Sequence, residues 1–169
     1  MCVLGLGVAG RGIYTGTALQ LVDDKNRVSI PAKFRDAVFA NTAPETFKDG
    51  SYVLIGQHPE SPCLIAYDQS WVDSALDKAD AAAPGGPAFN VLRVIAGGAE
   101  KVGFDSTGRC VLVGWMKDEV NIAKHAFFFG TLTHFEIWDP QTLLAASDEQ
   151  AAPVVRNACR RIMQEKGIL

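Results

Sequence analysis

Lys25, Arg27, Lys33 and Arg35 crowd into residues 22–35, around the turn Asp23-Asp24-Lys25-Asn26 and the short run 27–30. Lys25 and Arg27 alternate across a turn-to-strand junction and therefore project to one side. Lys33 and Arg35 emerge from the start of a helix predicted over about 31–39, where the fixed φ of Pro31 suits a first helical turn. Lysines and arginines on turns and helix starts position phosphates. Arginine also reads guanine edges through two parallel hydrogen bonds. The front half of the pattern returns 82 residues downstream as Phe104-Asp105-Ser106-Thr107-Gly108-Arg109, again ahead of an apolar run, Cys110-Val111-Leu112-Val113. Asp23 and Asp105 could be imagined as a catalytic carboxylate pair. Aspartates at such positions more often fold back to accept backbone N–H groups, so both are expected to shape their own turns. Asn26 and Gly108 fit the same role, because both tolerate positive φ. A merely solvated basic face would need no second copy with Arg109 at the matching place.

Other chemistries fit poorly. His58, His125 and His134 are scattered, with no Cys or carboxylate at metal-ligand spacing. His134 opens an apolar strand and is expected to be packed rather than to act as a base. No nucleophile elbow or phosphate-binding loop occurs. Gly5-Leu6-Gly7-Val8-Ala9-Gly10 spells a dinucleotide fingerprint, and Asp23 follows at an acidic distance. Only four residues precede Gly5, however, and the twelve between Gly10 and Asp23 cannot supply both a helix and a strand. The plainer expectation is a Gly-rich leader over 1–12. Cys2, Cys63, Cys110 and Cys159 are far apart, with no C-x-x-C, and are expected to be buried thiols in a reducing cytoplasm. No cofactor, metal or small-molecule substrate is expected.

A net charge of −3 is a weak starting point for nucleic-acid binding, but the charge is unevenly spread. Residues 1–35 hold five basic groups against two acids, residues 36–80 eight acids against two bases, and 150–169 turn basic again. Apolar content of 48% with 21% charge describes a folded globular chain. No apolar run approaches the length of a membrane span, and the first ten residues make no convincing signal peptide.

These residues must be positioned by an alternation of short strands and helices. Strands are predicted over 13–22, 27–30, 52–55 and 63–67. A helix capped by Asp68 or Ser70 follows, with Trp71, Ala75, Leu76 and Ala79 on its apolar face. Pro84-Gly85-Gly86-Pro87 breaks the chain, and a further helix with Phe89, Leu92 and Ile95 inward ends at Gly97-Gly98. A second series then repeats the order: strands 99–104 and 109–113, a weak helix near 115–120, paired strands 126–129 and 134–138, and a helix opened by Asp139-Pro140. The last segment, 154–166, is an amphipathic helix with Val155, Ala158, Ile162 and Met163 inward and Arg156 and Arg160 outward. The boundaries are a leader over 1–12, a first unit over 13–83, a connecting segment over 84–98, a second unit over 99–150 and a terminal helix over 151–169.

The run Asp23-x-Lys25-Asn26-Arg27-Val28-Ser29-Ile30-Pro31-Ala32-Lys33-Phe34-Arg35 closely resembles the first repeat of the MraZ family, commonly L-D-x-K-G-R-[VIL]-S-[IV]-P-x-x-[FY]-R. Ala99-Glu100, Asp105-Ser106-Thr107-Gly108-Arg109 and Phe135-Glu136-Ile137-Trp138-Asp139 match the second. The resemblance spans about 13–145. It implies a β-rich α+β fold of two tandem AbrB-like swapped-hairpin units, forming a pseudo-twofold barrel capped by helices. It also implies ring-shaped homo-oligomers that bind repeated boxes in double-stranded DNA. Such proteins are cytoplasmic, nucleoid-associated bacterial regulators, usually repressing the division and cell-wall gene cluster and their own promoter. The implied DNA contacts are Arg27 and Arg109, with Lys25 beside the first and Lys33 and Arg35 nearby. Three departures stand out. Asn26 replaces the usual Gly, Tyr14-Thr15-Gly16 replaces an opening Phe-Arg-Gly, and Val113-Gly114 stands where the second helix would start with proline. The last predicts a less rigidly placed second turn. An antitoxin-like interaction module on the same fold is the rival expectation.

Overall fold

Val28 and Cys110 sit side by side at the centre of a two-stranded ribbon, both buried in the core that the ribbon shares with a larger sheet. The structure is a computed structural model that describes residues 10–169. The Gly5–Gly10 fingerprint and Cys2 therefore lie outside the described residues, Gly10 excepted.

The elements in chain order are β1 (Thr17–Leu21), β2 (Arg27–Ser29), α1 (Ala32–Asn41), a single 3-10 turn (Pro44–Phe47), β3 (Tyr52–Gln57), β4 (Leu64–Tyr67), α2 (Gln69–Ala81) and α3 (Pro87–Gly98). They continue with β5 (Glu100–Gly103), β6 (Arg109–Val111), α4 (Gly114–Glu119), β7 (His125–Gly130), β8 (Phe135–Trp138), α5 (Pro140–Ala145) and α6 (Pro153–Glu165). Six strands form one antiparallel sheet in the order β1-β7-β8-β4-β3-β5, and β2 pairs with β6 in the ribbon. Exchanging β1–β4 for β5–β8 leaves this order unchanged when it is read from the other edge. The strand opening each half is paired with a hairpin of the other half, β1 with β7 and β5 with β3. This is the β-rich α+β fold that the resemblance implies.

Strand alternation divides the apolar residues between the two faces of the sheet. Phe135 and Ile137 of β8, Ala126 and Phe128 of β7, and Val53 and Ile55 of β3 share one core with Val28, Ile30 and Leu112 from the ribbon and with Phe34 and Val38 of α1. The other face is covered in two parts. Phe127 and Trp138 pack under α5 and α6 against Leu143, Cys159 and Met163. Ile65 and Tyr67 pack under α2 and α3 against Ile95 and Trp71. Glu136 is buried on this face and is not left unpaired. It accepts a 2.7 Å hydrogen bond from Trp138 Nε1, and His58 Nε2 stands 3.7 Å away. Cys63, Cys110 and Cys159 are buried, and no disulfide joins them among the described residues.

Several expectations are corrected. Gly16 has φ +79°, so β1 begins only at Thr17, and Tyr14 joins the sheet separately through a bridge to Leu132. Within that predicted strand Leu19 is buried, while Ile13 and Leu21 are exposed. α2 is amphipathic as its spacing requires, yet none of its residues is buried, and Leu76 is 58% exposed. Between α2 and α3 lies an open apolar cleft of about 350 Å³, lined by Trp71, Leu76, Phe89 and Leu92 among others. α3 ends at Gly98, with both Gly97 and Gly98 inside the helix. Arg156 does not point outward. Its guanidinium turns back to the α5–α6 connection, donating to the Ala146 carbonyl and pairing with Asp148. No helix among the described residues is long and apolar enough to cross a membrane.

Candidate nucleic-acid interface

The β2–β6 ribbon carries the two turns at its ends. In its register Arg27 faces Val111, Val28 faces Cys110 and Ser29 faces Arg109. Cross-strand partners point to the same side, and next neighbours to opposite sides. Val28 and Cys110 therefore point into the core, and Arg27 and Arg109 share the outward face with Ser29 and Val111. Two arginines that lie 82 positions apart in sequence thus stand on one surface.

Each arginine follows a turn built by the same bonds. The Asp23 carboxylate accepts the backbone N–H groups of Lys25 and Arg27, both at 2.9 Å, and Asp105 accepts those of Thr107 and Arg109 at the same distance. Asn26 N–H donates to the Asp23 carbonyl and Gly108 N–H to the Asp105 carbonyl, each at 2.9 Å. Asn26 and Gly108 take positive φ, 59° and 82°. Both carboxyls are held below the usual carboxylate range. The main cause is the Arg27 backbone N–H for Asp23 and the Thr107 hydroxyl for Asp105. They are ionised at neutral pH, and each bonds to its own turn, Asp23 through both carboxylate oxygens and Asp105 through Oδ1.

The two arginines differ in restraint. Arg27 Nε donates to Asp23 Oδ2 at 2.6 Å, which orients the guanidinium, and among the described residues its terminal nitrogens have no hydrogen-bond partner. Arg109 is exposed and, among the described residues, its side chain makes no ion pair. Lys25 is exposed at the tip of the first turn.

The remaining predicted residues are distributed less simply. Lys33 lies elsewhere. Its ammonium sits against Gly16, at the end of β1 away from the first turn, and near the Phe34 ring. Arg35 reaches the second turn instead of its own, where Nη1 donates to the Ser106 carbonyl at 3.0 Å. Pro31 precedes α1 as its N-cap, not as its first residue, with φ −52° and ψ 139°, and its carbonyl accepts from Phe34 and Arg35. Val113 holds the same place before α4, with φ −59° and ψ 147° and its carbonyl accepting from Met116 and Lys117. The absent second proline has therefore not displaced the second helix, because packing supplies the geometry that a proline ring would impose.

Val113 already has a proline-compatible φ, and its N–H has no backbone partner among the described residues. Val113→Pro is expected to stabilise the protein by about 0.4–1 kcal/mol through the unfolded chain. The midpoint of thermal unfolding measures this, and a lowered midpoint would show that the Val113 side chain contributes more to the core than its partial burial suggests.

Lys117 was missed by sequence reading. Its Nζ donates to Asn26 Oδ1 at 2.6 Å, from the second half of the chain to the first turn. The signal was present, because the 82-residue offset that relates Asp23 to Asp105 also relates Arg35 to Lys117. His134 is packed against Trp71, and burial pushes it down to about 4, so it is neutral at physiological pH. Among the described residues no cluster of His, Cys, Asp or Glu could hold a metal ion.

No family model matches the chain. It does match proteins named transcriptional regulator MraZ. It is 31% identical to that of Aromatoleum aromaticum over 75% of this chain and 80% of the relative. It is 33% identical to that of Dechloromonas aromatica over the same shares. It is 31% identical to that of Paraburkholderia xenovorans over 83% of this chain and 90% of the relative. With this identity and coverage added to the paired turns and their arginines, the chain belongs to the MraZ family.

Proposed function

We propose that this chain is a sequence-specific DNA-binding transcriptional regulator, and that its work is binding rather than catalysis. The observation that carries the reading is the outward face of the β2–β6 ribbon, where Arg27 and Arg109 stand on two matched, internally bonded turns. Guanidiniums on rigid turns engage phosphates and base edges at small ordering cost. The relatives' name, transcriptional regulator, agrees with this.

The chain reads as two tandem units, 13–83 and 99–150, joined through 84–98 and followed by the 151–169 helix. The sheet order, unchanged when the halves are exchanged, supports that division. One subunit offers few phosphate contacts, so useful affinity requires several subunits on repeated boxes. We therefore take the working form to be a ring, repressing its own promoter and the division and cell-wall genes from the nucleoid. The uncovered apolar cleft between α2 and α3 is a surface that assembly would bury. The same cleft favours the rival reading, an antitoxin-like module that holds a different protein.

A footprint of the purified protein on DNA upstream of its own gene, across a salt series, tests the reading. Protection at regularly spaced boxes that fades steeply with salt is expected. No protection at low salt, with a second protein bound in fixed ratio and no higher oligomer by mass, would establish the rival.

A further inference from the structure

Arg35 and Lys117 each stand twelve residues after the aspartate of their own turn, and each reaches across to the other turn. The backbone crosses in the same way. Ile30 N–H donates to the Gly108 carbonyl at 2.8 Å, and Leu112 N–H donates to the Asn26 carbonyl at 2.9 Å. Each turn is thus seated on a strand end and a helix from the opposite half of the chain.

The two crossings use different chemistry. At the second turn the Arg35 stem lies directly over Gly108. A Cβ built there would stand 2.6 Å from Arg35 Cδ and Nε and 2.8 Å from the Ile30 carbonyl oxygen, so only glycine fits. Among the described residues, Arg35 Nε is buried with no hydrogen-bond partner. At the first turn the residue in Gly108's place is Asn26, and the residue in Arg35's place is Lys117. The slimmer lysine leaves space for an amide side chain, which in turn presents an acceptor to the ammonium. Gly with Arg at one turn and Asn with Lys at the other are two matched solutions to one packing problem.

We propose that Lys117 and Arg35 are positioning residues, each holding the turn of the opposite half, and that Asn26 and Lys117 work in this chain as a matched pair that sets Arg27. This rests on the reading that Arg27 and Arg109 contact DNA. Arg27 follows Asn26 directly, and Arg109 follows Gly108, so a shift of either seat moves the arginine beside it. Lys117 Nζ gives one of its three N–H groups to Asn26, and the proposal assigns its effect on binding to that bond and not to a phosphate contact.

Two measurements on the full chain separate bracing from contact. The first uses a duplex of the gene's own upstream region and compares wild type with Lys117→Met, Arg27→Ala and the double variant Asn26→Gly/Lys117→Arg. Lys117→Met is expected to weaken binding about 5- to 20-fold with no change in the slope of log affinity against log salt. Loss of a phosphate contact lowers that slope by about one. The double variant, which moves the second turn's pair into the first, is expected to return affinity to within about threefold of wild type. A lowered slope for Lys117→Met, unchanged affinity, or no rescue overturns the proposal. The second measurement follows amide hydrogen exchange in the free protein. Lys117→Met is expected to speed exchange at Leu112 about tenfold more than at Ile30, and Arg35→Met the reverse. Equal acceleration at both overturns the crossed bracing. The crossed pattern in the two Met variants, together with a wild-type protein that does not bind the duplex or an Arg27→Ala protein that binds it as well as wild type, overturns the DNA reading and leaves the bracing standing.

Discussion

Arg27→Ala is expected to lose specific DNA binding while the fold and the oligomer persist. The side chain is partly exposed, and among the described residues its one internal partner is Asp23. The turn does not need that partner, because the Asp23 carboxylate also accepts the backbone N–H groups of Lys25 and Arg27. Structural cost is therefore small. The binding cost is large, since a bidentate arginine–base contact carries about 1–3 kcal/mol of discrimination, or roughly 5- to 150-fold per site. On repeated sites the loss compounds. Arg109→Ala is expected to cost less, but not for the reason its sequence suggests. Val113 keeps α4 where a proline would, so the second turn is as well placed as the first. The difference lies in the side chains. Arg27 is oriented by Asp23 before DNA arrives, whereas Arg109 must be ordered on binding, at about 0.5–1.5 kcal/mol. Titration of labelled upstream DNA at fixed salt, beside a mass measurement, decides the matter. An Arg27→Ala protein that binds as tightly as wild type removes the site assignment, and equal losses for the two variants remove the ordering argument.

The second large effect is on stability. Phe34 is fully buried at the start of α1, with its ring 4.9 Å from Phe135 and edge-on to Tyr14 at 5.9 Å. Phe34→Ala removes a side chain that ties α1 to the sheet and leaves a cavity with rigid walls on several sides. The expected cost is about 3–5 kcal/mol. For a chain of this size that lowers the unfolding midpoint by roughly 6–20 °C. Phe34→Leu keeps most of the apolar volume and is expected to cost less than half as much. Denaturant unfolding of the three proteins provides the comparison, and a Phe34→Ala loss below about 1 kcal/mol would mean that α1 is held mainly by its other contacts. The effect reaches the interface as well, because α1 carries Arg35, whose guanidinium lies against the second turn.

The short stretch at 23–35 held much of this in its sequence. An Asp, a residue that tolerates positive φ and an Arg at fixed spacing are enough to build a self-bonded turn, because every bond involved spans four residues or fewer. Strand alternation, the Asp68 and Asp139 helix caps and the proline breaks were legible for the same reason. The family was legible as well, because thirteen consecutive positions carry its motif.

Three things were decided only by the tertiary structure. Arg27 and Arg109 share a face because β2 pairs with β6, a register that no local pattern encodes. Lys33 is turned toward Gly16 and Arg35 toward Ser106, because long flexible stems go where packing leaves room and an acceptor. The apolar face of α2 is left uncovered although its spacing marks it for burial, since amphipathicity specifies which face needs a partner and not whether the same chain supplies it. By itself the sequence determined the two turns and the arginines they hold. The crossed pairing of the halves determined that the arginines stand together, because contacts across 71 and 91 residues are set by the packed core and not by the residues that make them.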